Sequence, residues 1–187
     1  MTLGFMQNWP KSMAMQDDKT YFIAKIRLGL IQNKLLDFPH AVIFMYKYHD
    51  KFGKAIDRLG NEKPKIHTIR HDESERWKPG MDIHFVINSR TKDRFQFAPV
   101  VKCTSVQTIE IIDASHLPRV DGIVLEFPHG IEIFYLAYEV KIDGRFLNEQ
   151  EIRELAINDG FESEYEFFKY FNKDFKGRLI HWTNLRY

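Results

Sequence analysis

Residues 65–70 read Lys65-Ile66-His67-Thr68-Ile69-Arg70, and Trp77-Lys78-Pro79-Gly80 follows before the apolar run Ile83-His84-Phe85-Val86-Ile87. This stretch decides the fold, because the spacing of apolar residues is helical before it and strand-like after it. Lys65–Arg70 is also the densest polar chemistry in the chain: two cations, a hydroxyl and an imidazole, followed by Asp72, Glu73 and Glu75. In a regular strand Lys65 and Thr68 would face opposite ways, since side chains alternate with a period of two. They act together only if the backbone turns between them, and the preceding Gly60, Asn61 and Pro64 favour a loop there.

Toward the N-terminus, Phe22, Ile26 and Leu30 are spaced four apart and predict a helix from Tyr21 to about Leu36, with Thr20 as its cap. Pro39 suits the first turn of a second helix carrying Ala41, Met45, Tyr48, Phe52 and Ile56, ended by Leu59-Gly60-Asn61. Residues 1–18, with Phe5, Met6, Trp9, Met13 and Met15, read as an arm packed on the core.

Toward the C-terminus, Trp77–Gly80 reads as a tight turn with Gly80 at positive φ. Strands are expected at Ile83–Ile87 and Phe95–Phe97 and along the run to Ile112, with a hairpin of Gly122–Phe127 and Gly130–Ile142 around Pro128-His129. Asn148 with Glu151 forms a capping box for a short helix through Asn158, with Gly160 at its C′ position. Ser163 with Glu166 repeats the pattern for a helix bearing Phe167, Phe168 and Phe171. Leu179–Thr183 reads as a last strand. The expectation is one α+β domain over residues 1–187.

Composition narrows the function. The 187 residues carry a net charge of +1, which argues against wrapping duplex DNA by bulk electrostatics. The charge is nevertheless asymmetric: residues 1–70 hold 12 Lys/Arg and 6 Asp/Glu, whereas residues 71–187 hold 15 and 20. That pattern fits a limited anion-binding face, or a solvated surface with no partner. Cys103 is the only cysteine, so neither an internal disulfide nor a cysteine-rich zinc site is available. It lies in an apolar run and reads as a buried thiol. Of the eight histidines, His67 and His71 are four apart but on a loop or strand rather than a helix, and His40, His49, His116 and His129 have no carboxylate or cysteine partners at ligand spacing, so no metal and no cofactor is expected. No apolar stretch approaches a membrane span and no signal peptide is evident, so the expected location is the cytoplasm. Nothing resembles a phosphate-cradling glycine loop, a nucleophile elbow or a dinucleotide fingerprint.

The six-residue block, the Trp77–Gly80 turn into a strand, Tyr21-Phe22 through Lys25-Ile26 to Gly29, Asp159-Gly160-Phe161 with Phe167-Phe168, and Ile180–Thr183 ending in Tyr187 together resemble the ASCH family. That family belongs to the PUA-like group, and the likeness is to its larger bacterial and phage-type members. The resemblance implies a twisted β-barrel of about five to six strands with flanking helices, and residues 33–63 as a helical insertion. It also implies binding of RNA or a modified nucleoside in a cleft beside the signature loop.

Some small members of the family are acetylcytidine amidohydrolases, with a catalytic lysine, a threonine three residues later and a distant carboxylate. Carried over, these become Lys65, Thr68 and Asp159. The family's carboxylate is a glutamate, whereas Asp159 is shorter by a methylene; Glu162 and Glu164 are the other candidates.

The chemistry is consistent with that set. Amide cleavage needs a nucleophile and a base, and a lysine acts as base only where burial or a nearby cation lowers its pKa. Arg70 supplies such a cation and a donor for an oxyanion or phosphate. Ligand contacts are expected from Arg70, His67 and Trp77, the last as a stacking surface. Trp182 and Tyr187 are either further stacking platforms or core packing, with packing the better reading for Trp182 on a closing strand, and Arg90, Lys92 and Arg94 form a basic hairpin tip that either is solvated or extends a phosphate track. Three functions stay open: a binding domain for RNA or a nucleoside, an amidohydrolase or nuclease using the same cleft, and an accessory protein that has lost its ligand.

Overall fold

Helix α1 (Phe22–Gln32) is the element against which the signature segment is set. The computed structural model describes residues 1–13, 19–56, 63–114, 123–127, 130–134 and 138–187. Phe22, Ile26 and Leu30 are buried as their spacing predicts, each worth about 1.5–3 kcal/mol of apolar burial. Burial extends around the helix, however, to Lys25 and Arg27. Arg27 is satisfied by the Ala41 carbonyl at 2.6 Å, and Lys25 by the Gly160 carbonyl at 2.8 Å. Helix α2 (Phe38–Phe52) starts on an Asp37 carboxylate that accepts the His40 N–H, with Pro39 in its first turn. It stops at Gly53, φ 65°, earlier than the apolar spacing suggested, and buries only Ala41 and Tyr48.

Two sheets carry the core. In the first, β1 (Thr2–Gly4) runs parallel to β3 (Asp82–Ile87), which also pairs antiparallel with β4 (Phe95–Gln96) and β5 (Val101–Lys102). The second is antiparallel, in the order β10 (Arg145–Phe146), β9 (Tyr138–Ile142), β6 (Ser105–Asp113), β11 (Phe175–His181) and β2 (His67–Arg70). β7 (Ile123–Phe127) and β8 (Gly130–Phe134) form the expected hairpin as a separate pair. The run Gly130–Ile142, read as one strand, supplies two, β8 and β9.

Trp182, directly after β11, joins the two sheets by setting its ring edge-on to Phe85 of β3 at 5.0 Å. The core reading of Trp182 and of the Cys103 thiol therefore holds, each being about 1% exposed. Helix α3 (Glu149–Asn158) carries the full Asn148/Glu151 capping box, and Gly160 takes φ 96°. Helix α4 (Glu164–Tyr170) starts on Ser163.

The described residues form an α+β architecture, with four α-helices and these sheets. The expected closed, twisted barrel is not formed by the described strands: β2 and β10 are free edges of the five-stranded sheet, and β1 is an added parallel strand on β3. Among the described residues no helix is long and apolar enough to cross a membrane. The expectations for Met15, Leu59–Asn61, Gly122, His116, Pro128 and His129 fall outside the described residues.

One backbone approach controls how the signature segment sits. A Cβ on Gly29 would lie 2.6 Å from the Lys65 carbonyl oxygen, a backbone atom that cannot swing aside. Gly29→Ala is expected to cost about 1–3 kcal/mol, in the range of overpacked cores, measured as a fall in the urea midpoint with an unchanged m-value.

Candidate functional site

Lys65 and Ile66 precede strand β2 and follow a different course. The Lys65 N–H donates to the Lys25 carbonyl of α1, and the Ile66 N–H to the Asn158 carbonyl of α3, both at 3.0 Å. Strand pairing begins only at His67. The chain therefore turns between Lys65 and Thr68, which removes the opposition that a regular strand would impose. Lys65, Thr68, Arg70 and Asp159 all line one cavity of about 190 Å³. Its walls are aromatic: Trp9, Phe22, Phe161, Tyr170, Phe171 and Phe175.

At its floor is a buried ion pair. Lys65 Nζ lies 2.6 Å from Asp159 Oδ1, donates also to the Asp159 carbonyl, and sits 4.9 Å from the centre of the Phe22 ring. Burial pushes the Lys65 amine down to about 8, against the pull of Asp159. For Asp159, burial acts upward, but the Lys65 charge and the His67 ring outweigh it and hold the carboxyl below its ordinary range. The Ile69 N–H adds a further donor to Oδ1 at 3.2 Å. Asp159 Oδ2 and the Thr68 hydroxyl take no hydrogen bond among the described residues, so they are the polar atoms left for a ligand.

The three acids have different partners. Glu162 pairs with the buried Lys25, and Glu164 with Arg153 at 3.0 Å, which leaves Asp159 as the acid facing Lys65. Lys25 is the residue that sequence reading passes over. Its place beside the apolar stripe of α1 was visible, but the distant carbonyl and carboxylate that let it be buried were not.

The other site candidates are placed elsewhere. His67 is fully buried beyond this cavity, with Nε2 2.9 Å from the Tyr187 hydroxyl, which also accepts from Asn158. Burial lowers its pKa against the pull of Asp159, and that of neighbouring His181 falls to about 3; the two rings lie 5.4 Å apart. Trp77 is 7% exposed, its N–H held by the Asp72 carboxylate, and it borders a different groove. Arg70 borders both spaces: it donates to the Gly4 carbonyl at 2.9 Å and lies over the Phe5 ring at 5.0 Å. Among the described residues no histidine, cysteine and carboxylate cluster could hold a metal ion.

Comparison with protein-family models, with curated proteins and with solved structures finds no match for this chain.

A buried pair broken on one side leaves an uncompensated charge. Asp159→Leu is therefore expected to lose about 3–5 kcal/mol of stability, and Lys65→Met/Asp159→Leu much less, in urea unfolding. The pH dependence has a definite sign. Between about pH 8 and 10.5 the unfolded lysine keeps a proton that the folded Lys65 has released, so its contribution makes stability rise with pH. Cys103 and the buried tyrosines act in the opposite direction. The stability difference between wild type and Lys65→Met isolates the lysine, and it should grow through that window.

Proposed function

We propose that this chain is an ASCH-like, PUA-related domain that binds RNA or a nucleoside-type ligand by taking a base into the Lys65–Asp159 cavity. The observation that carries this reading is the composition of that cavity: aromatic walls around two uncommitted polar atoms, Asp159 Oδ2 and Thr68 Oγ1. Aromatic faces accept a planar ring of any base. A carboxylate oxygen and a hydroxyl select the edge, favouring exocyclic N–H groups of the kind carboxylates accept from cytosine. The volume of about 190 Å³ lies below the roughly 300–1,000 Å³ of drug-sized sites and suits one ring system.

The second reading is catalytic, and the position of the Lys65 amine near pH 8 favours it. A lysine that releases its proton near neutrality is able to act as a general base. Thr68, on the same cavity wall, would be the nucleophile toward an acyl carbon on the exocyclic nitrogen. Lys65 would take the threonine proton and return it to the leaving nitrogen, and a water molecule deprotonated by Lys65 would then hydrolyse the acyl-threonine, releasing the acid and restoring Thr68. Asp159 would hold the ammonium in place. An amidohydrolase acting on an acylated nucleoside requires no group beyond these and water; a nuclease would draw on Arg70 instead.

The two readings separate in one set of measurements. Calorimetric titration with cytidine and with acetylcytidine should show saturable binding that Thr68→Val weakens roughly tenfold, the scale of one lost hydrogen bond at about 1.4 kcal/mol. Release of acetate from acetylcytidine by wild type, abolished in Thr68→Val, establishes the amidohydrolase. Absence of any saturable nucleoside binding by wild type removes the base-cavity reading.

A further inference from the structure

The second space bordered by Arg70 is an open groove of about 550 Å³, and its composition is unlike the rest of the surface. Arg70, Arg76, Arg90 and Arg94 line it with His71 and Trp77, and among the described residues no carboxylate does. These cations come from three parts of the chain: the end of β2, the loop ahead of Trp77, and the loop between β3 and β4. Arg76 is shared with Asp72 at 3.3 Å. Arg90 and Arg94 are exposed, and their guanidinium groups have no ion-pair partner among the described residues. In a chain with a net charge of +1, such a concentration is not a consequence of bulk composition.

The β3–β4 loop is built to hold its shape. The Thr91 hydroxyl donates to the Asn88 carbonyl and accepts the Asp93 N–H, both at 3.1 Å, and Asn88 donates to the Asp93 carbonyl at 3.3 Å. Lys51 of α2 donates to the Arg94 carbonyl at 3.2 Å, tying the loop to that helix. Arg90 and Arg94 are therefore presented on a hydrogen-bonded turn.

We propose that this groove binds the phosphodiester backbone of a single-stranded oligonucleotide whose base occupies the neighbouring cavity. The inference rests on the base-cavity reading for the second half of that statement and on the groove alone for the first. Two observations connect them. Arg70 and His71 line both spaces, so the two adjoin. The cavity holds one ring system, so the sugar and phosphates of any nucleotide bound there must lie outside it. Phosphate is favoured over carboxylate because every fixed cation of the groove is an arginine, whose planar fork takes two phosphate oxygens at once.

The test is fluorescence anisotropy with a labelled eight-residue single-stranded RNA across a range of salt concentrations, alongside the matching DNA. Arg90→Ala/Arg94→Ala is the variant, its fold checked by an unchanged melting temperature. We expect it to weaken RNA binding roughly tenfold at 0.1 M salt and to flatten the slope of log K against log salt by about 1.4, at about 0.7 per lost phosphate contact. Cytidine binding in the cavity should not change. Equal binding of RNA and DNA locates recognition in the phosphates; RNA binding alone adds the 2′-hydroxyl to the same groove.

RNA binding by the double variant with wild-type affinity and slope overturns the inference, as does displacement of RNA by polyglutamate at matched charge. Nucleoside binding with no gain from the RNA strand overturns the groove and leaves the cavity reading standing. RNA binding that depends on Arg90 and Arg94 but is indifferent to Thr68→Val and to competing cytidine overturns the cavity reading and leaves the groove.

Discussion

The rest of the structure depends on keeping one ammonium group out of water. Moving a lysine charge into a protein interior costs several kcal/mol, and geometry must return that energy. Lys65 obtains it from both oxygen types of a single residue, the carboxylate and the carbonyl of Asp159, and from the face of Phe22. Asp159 is the C-cap of α3, where carbonyls lack intrahelical partners and the helix dipole is negative. Lys65 thus caps a helix and pairs an acid with one group. The arrangement requires α1, the segment before β2 and the end of α3 to meet at close range. Glycines at both contacts make this possible. Gly29 admits the Lys65 carbonyl, and Gly160 turns the chain at φ 96° where a Cβ would strike the Phe22 ring.

What the sequence made legible follows the range of the interaction that fixes each feature. The Asn148/Glu151 capping box, the Ser163 cap, Gly80 at positive φ and the strand at Asp82–Ile87 are decided within a few residues, and each was readable. The end of α2 was misjudged because Ile56 continues the apolar spacing, while Gly53 in the left-handed region ends the helix first. Barrel closure is a relation between strand edges that no local pattern encodes. The five-stranded sheet ends on β2 and β10, and β1 attaches to β3 in parallel, an arrangement invisible in three residues of sequence.

The site was legible in the same uneven way. Density of polar chemistry located Lys65, Thr68 and Arg70, and the structure gathers all three around one cavity with Asp159. His67 lies in the same six residues yet does not line the cavity: its ring packs beside His181 and Tyr187, with Nδ1 3.7 Å from Asp159 Oδ1. Three acids within six residues, Asp159, Glu162 and Glu164, were equivalent on paper. Lys25 and Arg153 distinguish them, and both selections are made across long stretches of chain.

Neutralising Asp159 also reconciles two neighbouring surfaces of opposite need. A cavity that reads N–H groups needs an acceptor, and a groove that holds phosphates needs cations without carboxylates. An unpaired carboxylate beside the groove would repel a polyanion through low-dielectric protein, where screening is weak. The Lys65 ammonium cancels that charge at 2.6 Å while leaving Oδ2 available to accept. Arg70, bordering both spaces, then adds its positive charge to the groove without opposition. A neutral lysine would undo this balance. Its proton leaves near pH 8, and from that pH upward the cavity carries the uncancelled charge of Asp159. On the proposed reading, the same pair that secures the fold therefore removes a buried negative charge that an entering phosphate would otherwise meet.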